Sequence, residues 1–294
     1  MKKNITNIII AASIIAFIFW LGFFGIYTGD FSNKDILANQ AASPALAVTS
    51  PFIYSFSVNG TLYEAGTMED SSSPYWWLNS GGLFYLKNGT GQTIQGELAT
   101  TSTWRLAYFH ANPLDTDDGF HPQNLLRLVL RSKWQNFSES AYFKINKYNN
   151  GASPNRNGSN GILLFNRYLD GFNLYYTGLR VDGSAVIKKK QNGIYYTMAY
   201  KKILPGTYSR DNNINLIPTN IWIGIKSQVT TDKNNNVVIN LYTDIGKTGN
   251  WTFVASSTDN GSNFGSGKIL DAGFAGIRTD FMDVQFDDYR IEKT

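Results

Sequence analysis

The sequence predicts an all-β fold, a jelly-roll sandwich of two antiparallel sheets preceded by one N-terminal transmembrane helix. Three observations carry this expectation. From about residue 50 onward, apolar residues recur with period 2 in short runs, the spacing of half-buried strands rather than helices. Those runs are separated by Gly, Asn, Asp and Pro, the residues of turns. The first thirty residues differ from the rest, holding an apolar run at 5–27 with no charged residue inside it.

A run of this length is what a helix needs to cross a bilayer core of roughly 30 Å. Lys2 and Lys3 precede it and no basic residue follows until Lys34, which predicts a cytoplasmic N-terminus and an extracytoplasmic body on a single-pass cell-membrane protein. A cleaved signal peptide is the alternative, but Ala45-Leu46-Ala47 lies about 18 residues past the apolar run, too far for ordinary processing. Residues 1–28 are therefore expected as a signal-anchor, 29–50 as a linker and 51–294 as one β domain. There is no Cys, so stability must come from the core, or from the core and a bound metal, rather than from disulfides.

Along the body, Trp104-Arg105-Leu106-Ala107-Tyr108-Phe109 reads as alternating, with His110 on the Trp104/Tyr108 face. Leu126, Leu128 and Leu130 alternate with Arg127, Val129 and Arg131. Leu169-Asp170-Gly171 is expected to join strands near 161–168 and 173–182, and Asp182-Gly183 to lead into 184–190, since Asp-Gly between alternating segments signals a hairpin. Trp222-Ile223-Gly224-Ile225-Lys226 and Val237-Val238-Ile239-Asn240-Leu241-Tyr242 flank a polar turn, and residues 284–291 alternate to the end. Many strands at short spacing with 15% aromatic residues favour a sandwich or jelly roll over an up-and-down barrel, and no fixed-period repeat supports a propeller or solenoid.

The net charge of +4 conceals an asymmetry. Residues 120–210 carry 14 Lys/Arg against 3 Asp/Glu, whereas residues 30–119 carry 3 against 9 and residues 211–294 carry 7 against 10. Consecutive hairpins tend to be neighbours in space, so the basic excess should gather in one region and attract an anionic partner. If Leu128, Tyr175 and Ile187 point inward, then Arg127, Arg131, Tyr176, Arg180, Lys188 and Lys190 share an outer face, which Arg167 and Tyr196 could join. Flat rings stack on sugar faces and guanidinium forks grip carboxylates, so such a face suits an acidic polysaccharide. The plainer alternative is a set of solvated strand residues, with Lys discouraging edge pairing. Nucleic acid would also suit the chemistry, but an extracytoplasmic body excludes that partner.

Only two His occur, His110 and His121, without metal-ligand spacing, and no Gly-x-Ser-x-Gly elbow is present. If the protein is an enzyme, β-elimination on a uronate fits the residue types better than glycoside hydrolysis, with His110, Tyr176, Arg127 and Arg180 as the candidates for base and charge neutralisation. No cofactor is required by any of this. A structural Ca²⁺ near Asp287 and Asp288 is the one metal site the sequence suggests, since oxygen-rich sites suit that ion.

The C-terminal half resembles the concanavalin A-like lectin/glucanase superfamily, especially its laminin-G-like jelly rolls. The residues concerned are Trp222 to Lys226, Val237 to Thr243, Trp251-Thr252-Phe253-Val254, Gly273-Phe274-Ala275-Gly276-Ile277-Arg278 and Val284 to Ile291, with Gly161 to Tyr168 similar to a central strand. The resemblance spans about residues 120–294, and implies a lectin-like, carbohydrate-binding sandwich at the cell surface. Tyr142-Phe143-Lys144 is similar to a strand of jelly-roll alginate lyases, although Arg127-Leu128-Val129-Leu130-Arg131 lacks the Glu of that family's Arg-x-Glu-x-Arg strand and no Gln-x-His motif occurs. Glycan binding is thus the expected function, with a uronate-polysaccharide lyase and a structural adhesion module as alternatives.

Overall fold

The computed structural model describes residues 41–294. The expected span at 1–28 lies outside the described residues, among which no helix is long and apolar enough to cross a membrane.

The strands in chain order are β1 (Phe52–Tyr54), β2 (Gly60–Tyr63), β3 (Trp76–Ser80), β4 (Leu83–Lys87) and β5 (Thr90–Thr93). A helix, α1 (Thr103–Ala111), and a 3-10 turn at Pro122–Leu125 follow. Then come β6 (Arg127–Trp134), β7 (Phe137–Tyr148), β8 (Gly161–Asp170), β9 (Asn173–Arg180), β10 (Ser184–Gln191) and β11 (Ile194–Lys202). The chain closes with β12 (Trp222–Thr231), β13 (Val237–Ile245), β14 (Thr252–Asp259), β15 (Gly273–Thr279) and β16 (Met282–Lys293).

All pairings are antiparallel. One sheet has the order β14-β13-β12-β7-β16-β5-β4-β2, with β1 also on β16; the other has the order β11-β10-β9-β8-β15-β6-β3. These two sheets form the expected all-β sandwich of two antiparallel sheets. Alternation decides which face of each strand is interior: Leu128, Leu130, Ile162, Leu164, Tyr175, Leu179, Ala185 and Ile187 of the seven-stranded sheet pack against Phe143, Ile145, Ile225, Ile239, Leu241 and Phe286 of the other. Burying one such aliphatic or aromatic side chain contributes about 1.5–3 kcal/mol. Both Asp-Gly turns fall where expected, between β8 and β9 and before β10.

The stretch 104–109 is a helix rather than a strand. Ser102 caps it by accepting from Arg105 N, and Trp104 and Tyr108, four residues apart, form its buried face. Residues 43–50, expected as linker, are laid along the body. Ser43 N donates to Ser71 O, Leu46 N to Pro74 O, and Lys293 N to Ser50 Oγ.

The interior also holds charge. Lys189 and Asp259, both fully buried, form an ion pair at 2.9 Å, and Asp259 accepts from the Tyr175 hydroxyl at 2.6 Å. Lys189 also donates to the carbonyls of Phe264 and Gly267. Glu139 accepts from the Tyr289 hydroxyl at 3.0 Å, and burial pushes its carboxyl well above the usual range.

Candidate functional site: the outer face of the seven-stranded sheet

Residues that alternate with the core positions of this sheet point away from its partner. Cross-strand register lines them up in rows. Thr197, Lys188, Tyr176, Phe165, Gly276, Val129 and Trp77 form one row across all seven strands. Tyr200, Val186, Gly178, Leu163, Arg278, Arg127 and Ser80 form the next. Six inter-strand steps span roughly 29 Å. A third, shorter row holds Tyr195, Lys190 and Leu174.

The floor of this face is apolar. Val129, Leu163, Phe165, Tyr176 and Val186 form a buried cluster separate from the interior core. Gly276 leaves its centre bare, and a Cβ there would lie 2.4 Å from the Leu128 carbonyl oxygen, at a φ of +155°. Around this floor stand Arg127, Arg180, Lys188, Lys190 and Arg278, with aromatic rings between them. The Lys190 ammonium lies 4.9 Å from the Tyr195 ring and 5.6 Å from that of Phe172, and the Arg180 guanidinium lies 5.3 Å from Tyr200.

The cations are crowded. Burial, followed by repulsion from Arg127 and Arg278, pushes Lys190 down to about 7. Lys188 is lowered by burial and then by Arg180 and Arg278. Two carboxylates answer two of the guanidinium groups: Asp280 holds Arg278 at 2.8 Å, and Asp182 holds Arg180 at 2.8 Å. Arg127 and Lys188 have no ion pair among the described residues. At one end, Glu64 accepts from the Tyr108 hydroxyl and from Gly82 N, yet burial pushes it up to about 7, with Arg127 opposing the shift only weakly. Positive charge thus exceeds negative charge over an apolar floor, where electrostatic interactions are less screened than in water.

Five of the residues expected on this face stand together there: Arg127, Tyr176, Arg180, Lys188 and Lys190. Arg131 shares the face, but its guanidinium donates to the carbonyls of Ser43 and Ser73 and pins the incoming chain. Arg167 does not join them. A positive φ of 49° at a bulge turns it into the protein, where it donates to Gln135 O, Ile269 O, Asn136 Oδ1 and Thr231 Oγ1. Tyr196 is also displaced. A bulge between β10 and β11 makes Tyr196 the partner of inward-facing Lys189, so Tyr195 takes the outer place beside Lys190.

His110 is exposed on α1, its ring edge-on to Phe109, and on the opposite side of the helix from Trp104 and Tyr108. Burial raises the Tyr176 hydroxyl, so it stays protonated and is a poor general base. Asp287 and Asp288, which strict alternation would set on opposite faces, point to one place because a bulge at Asp288 (φ 47°) breaks the alternation. The Lys247 ammonium sits between them, 3.1 Å from Asp288 and hydrogen-bonded to Asp287. Among the described residues no three His, Cys, Asp or Glu side chains cluster as a metal site.

Arg278, Tyr195, Trp77 and Glu64 were not expected here. Arg278 sits in the acidic C-terminal segment, and only its register with Arg127 reveals the neighbourhood. The Gly273-to-Arg278 alternation was the available signal.

No family model and no curated protein matches the chain. Among solved structures, the chain is similar to the carbohydrate binding module CBM66 from Bacillus subtilis at 12% identity, over 74% of this chain and 95% of that one, with a TM-score of 0.44. It is similar to the beta-glucanase of Bacillus licheniformis at 10% identity, over 84% and 100%, with a TM-score of 0.44. The exoplasmic/lumenal domain of VIP36 in its Ca2+/Man-bound form is 9% identical over 83% and 92%, with a TM-score of 0.41. Identities and TM-scores this low carry no weight for ligand or activity.

Proposed function

We propose that the outer face of the seven-stranded sheet binds an acidic polysaccharide, as a lectin-like module held at the cell surface. The observation that carries this is the crowding of Arg127, Arg278, Lys188 and Lys190 over one apolar floor, where burial, and then repulsion from Arg127 and Arg278, holds Lys190 down to about 7. Cations brought together at such a cost gain most when an anion neutralises them, and the surrounding rings of Tyr195, Tyr200 and Trp77 offer stacking faces for sugar. Uronate carboxylates spaced along a polymer suit cations that extend from β10 to β6, four inter-strand steps or roughly 19 Å. The apolar run at 5–27 would tether the body to the membrane, which carbonate extraction of cell membranes tests: release of the full-length protein into the wash would refute the anchor.

Binding is tested by affinity electrophoresis of the full-length protein in detergent through gels containing alginate, polygalacturonate or uncharged dextran. Retention by an acidic gel, lost at high salt and reduced in Lys188→Ala, is expected. Equal mobility in all gels would overturn the proposal. The same incubations, followed by ultraviolet absorbance of the unsaturated product, separate binding from a lyase: a module without lyase activity gives no rise.

A further inference from the structure

The opposite side of the sandwich carries a second ordered set of aromatic side chains, on the outer face of β7, β12, β13 and the start of β14. The Lys144 ammonium lies 5.0 Å from the Trp222 ring. Lys247 lies between Trp222 and Tyr142, at 5.2 and 5.3 Å. Tyr142 and Trp251 are 5.5 Å apart. Lys226 lies between Trp251 and Tyr242, at 4.9 and 4.7 Å, and Tyr242 meets Phe253 at 5.6 Å. Rings and ammonium groups therefore form one unbroken strip, and Phe253 at its end is 54% exposed.

The strip is built rather than incidental. Trp251 lies over Gly224, where a Cβ would come within 2.7 Å of its ring. The loop that carries Trp251 is knotted by Asp244, only 2% exposed, which accepts from Tyr142 Oη, Thr248 Oγ1, Thr248 N and Gly249 N. Tyr142 is buried beneath this strip, and the four aromatic side chains left at the outside of the sheet, Trp222, Tyr242, Trp251 and Phe253, mark a contact surface.

Charge decides what the surface contacts. Lys247 is neutralised by Asp287 and Asp288, and Arg290 is paired with Glu292 at 2.6 Å. Lys226 feels the Glu292 carboxylate, and the four acids Asp244, Asp287, Asp288 and Glu292 match the four bases Lys144, Lys226, Lys247 and Arg290 in number, unlike the crowded cations of the other sheet. Neither a polyanion nor an anionic lipid surface gains much here. The apolar faces of uncharged sugar rings do, stacking on the aromatic side chains while lysine and aspartate meet hydroxyl groups.

We propose that this strip is a second carbohydrate-contacting surface, for an uncharged polysaccharide chain. The proposal does not depend on acidic-glycan binding by the seven-stranded sheet. If both hold, one molecule bridges two polymers of different charge, and linkage of the two raises the avidity for a mixed matrix.

The test is affinity electrophoresis of the full-length protein in detergent through hydroxyethylcellulose, galactomannan and xylan, with alginate gels and phosphatidylglycerol vesicles in parallel. Retention by an uncharged polymer is expected, little affected by salt, and about tenfold weaker in Trp251→Ala and in Phe253→Ala. Alginate retention should be unchanged in both, and Arg127→Ala should leave uncharged-polymer retention intact. Phe253 is exposed, so its substitution cannot act through the core, and unfolding melts of Trp251→Ala check the other variant. The proposal is overturned if no uncharged polymer retains the protein, if both variants bind like the parent, or if vesicles bind through Trp251 instead.

Discussion

Arg278 of β15 and Arg127 of β6 stand directly opposite one another on neighbouring antiparallel strands. Like charges in that relationship oppose each other by roughly 0.2–1 kcal/mol, and only Arg278 has a carboxylate partner, Asp280. The protein tolerates a local penalty that a bound anion would relieve. Replacing Arg127 by Ala should therefore separate stability from binding. The urea midpoint should stay level or rise, while retention by alginate falls about tenfold. A variant that lost stability and kept full retention would show that Arg127 serves the fold.

Proton linkage gives a second test. Lys190 sits near 7 in the free protein and is expected to be held charged by a bound polyanion, so binding below that value needs no proton, whereas binding above it takes one up. Glu64, also near 7, is neutral below that pH and then no longer competes for Arg127. Both effects have the same sign. Calorimetric affinity for polygalacturonate should increase as pH falls from 8 to 6 (about two units), with proton uptake on binding at the upper end. Lys190→Arg should flatten much of that slope, because a guanidinium remains charged throughout.

Stability should also vary with pH, through two carboxyls whose folded values are raised. Glu64 goes from 4.5 to about 7, and Glu139 goes well above 4.5. Between the unfolded and folded values the unfolded chain releases a proton that the folded protein keeps, so stability is complete below 4.5 and falls as pH rises. Urea unfolding from pH 4.5 to 7 should show this decline, and Glu139→Gln, which keeps the hydrogen bond with Tyr289 possible, should reduce it. A parent whose midpoint rises over that range would contradict the assignment.

The buried pair is expected to be the most sensitive single interaction in the core. Asp259→Ala leaves the Lys189 ammonium without its carboxylate in a fully buried place, and should cost about 3–5 kcal/mol in urea unfolding. Substituting both residues with apolar side chains should recover much of that loss. If Asp259→Ala unfolds at the parent's midpoint, Lys189 finds adequate compensation in the carbonyls of Phe264 and Gly267.

Much of the fold was legible because alternation and turn residues are local signals. Leu128 and Leu130 assign the faces of β6, and Asp170-Gly171 ends β8 where the hairpin requires. The helix was misread because Trp104 and Tyr108, four apart, satisfy period 2 as well as the helical repeat, and the Ser102 cap was the discriminating feature. Within the site, regular strands gave correct faces for Arg127, Tyr176, Arg180, Lys188 and Lys190. Bulges undid the rest. One extra residue in β11 exchanged Tyr196 for Tyr195, another turned Arg167 inward, and a third brought Asp287 and Asp288 onto Lys247. Arg278 was hidden for a different reason: its closeness to Arg127 depends on non-local pairing, which composition along the chain does not encode.

The hydrogen bond between Lys293 and Ser50, with β1 lying on β16 from Phe52↔Ile291 to Tyr54↔Tyr289, leaves the two ends of the β domain side by side. A few glycines could splice them, and the polypeptide could then be reopened at the exposed Asp232–Asn236 hairpin tip to give a circular permutant with the same sheets. In the native arrangement, a pull applied between those ends would peel β1 from β16 one rung at a time. A load arriving through a polymer on the far sheet would instead be shared across many ladders at once.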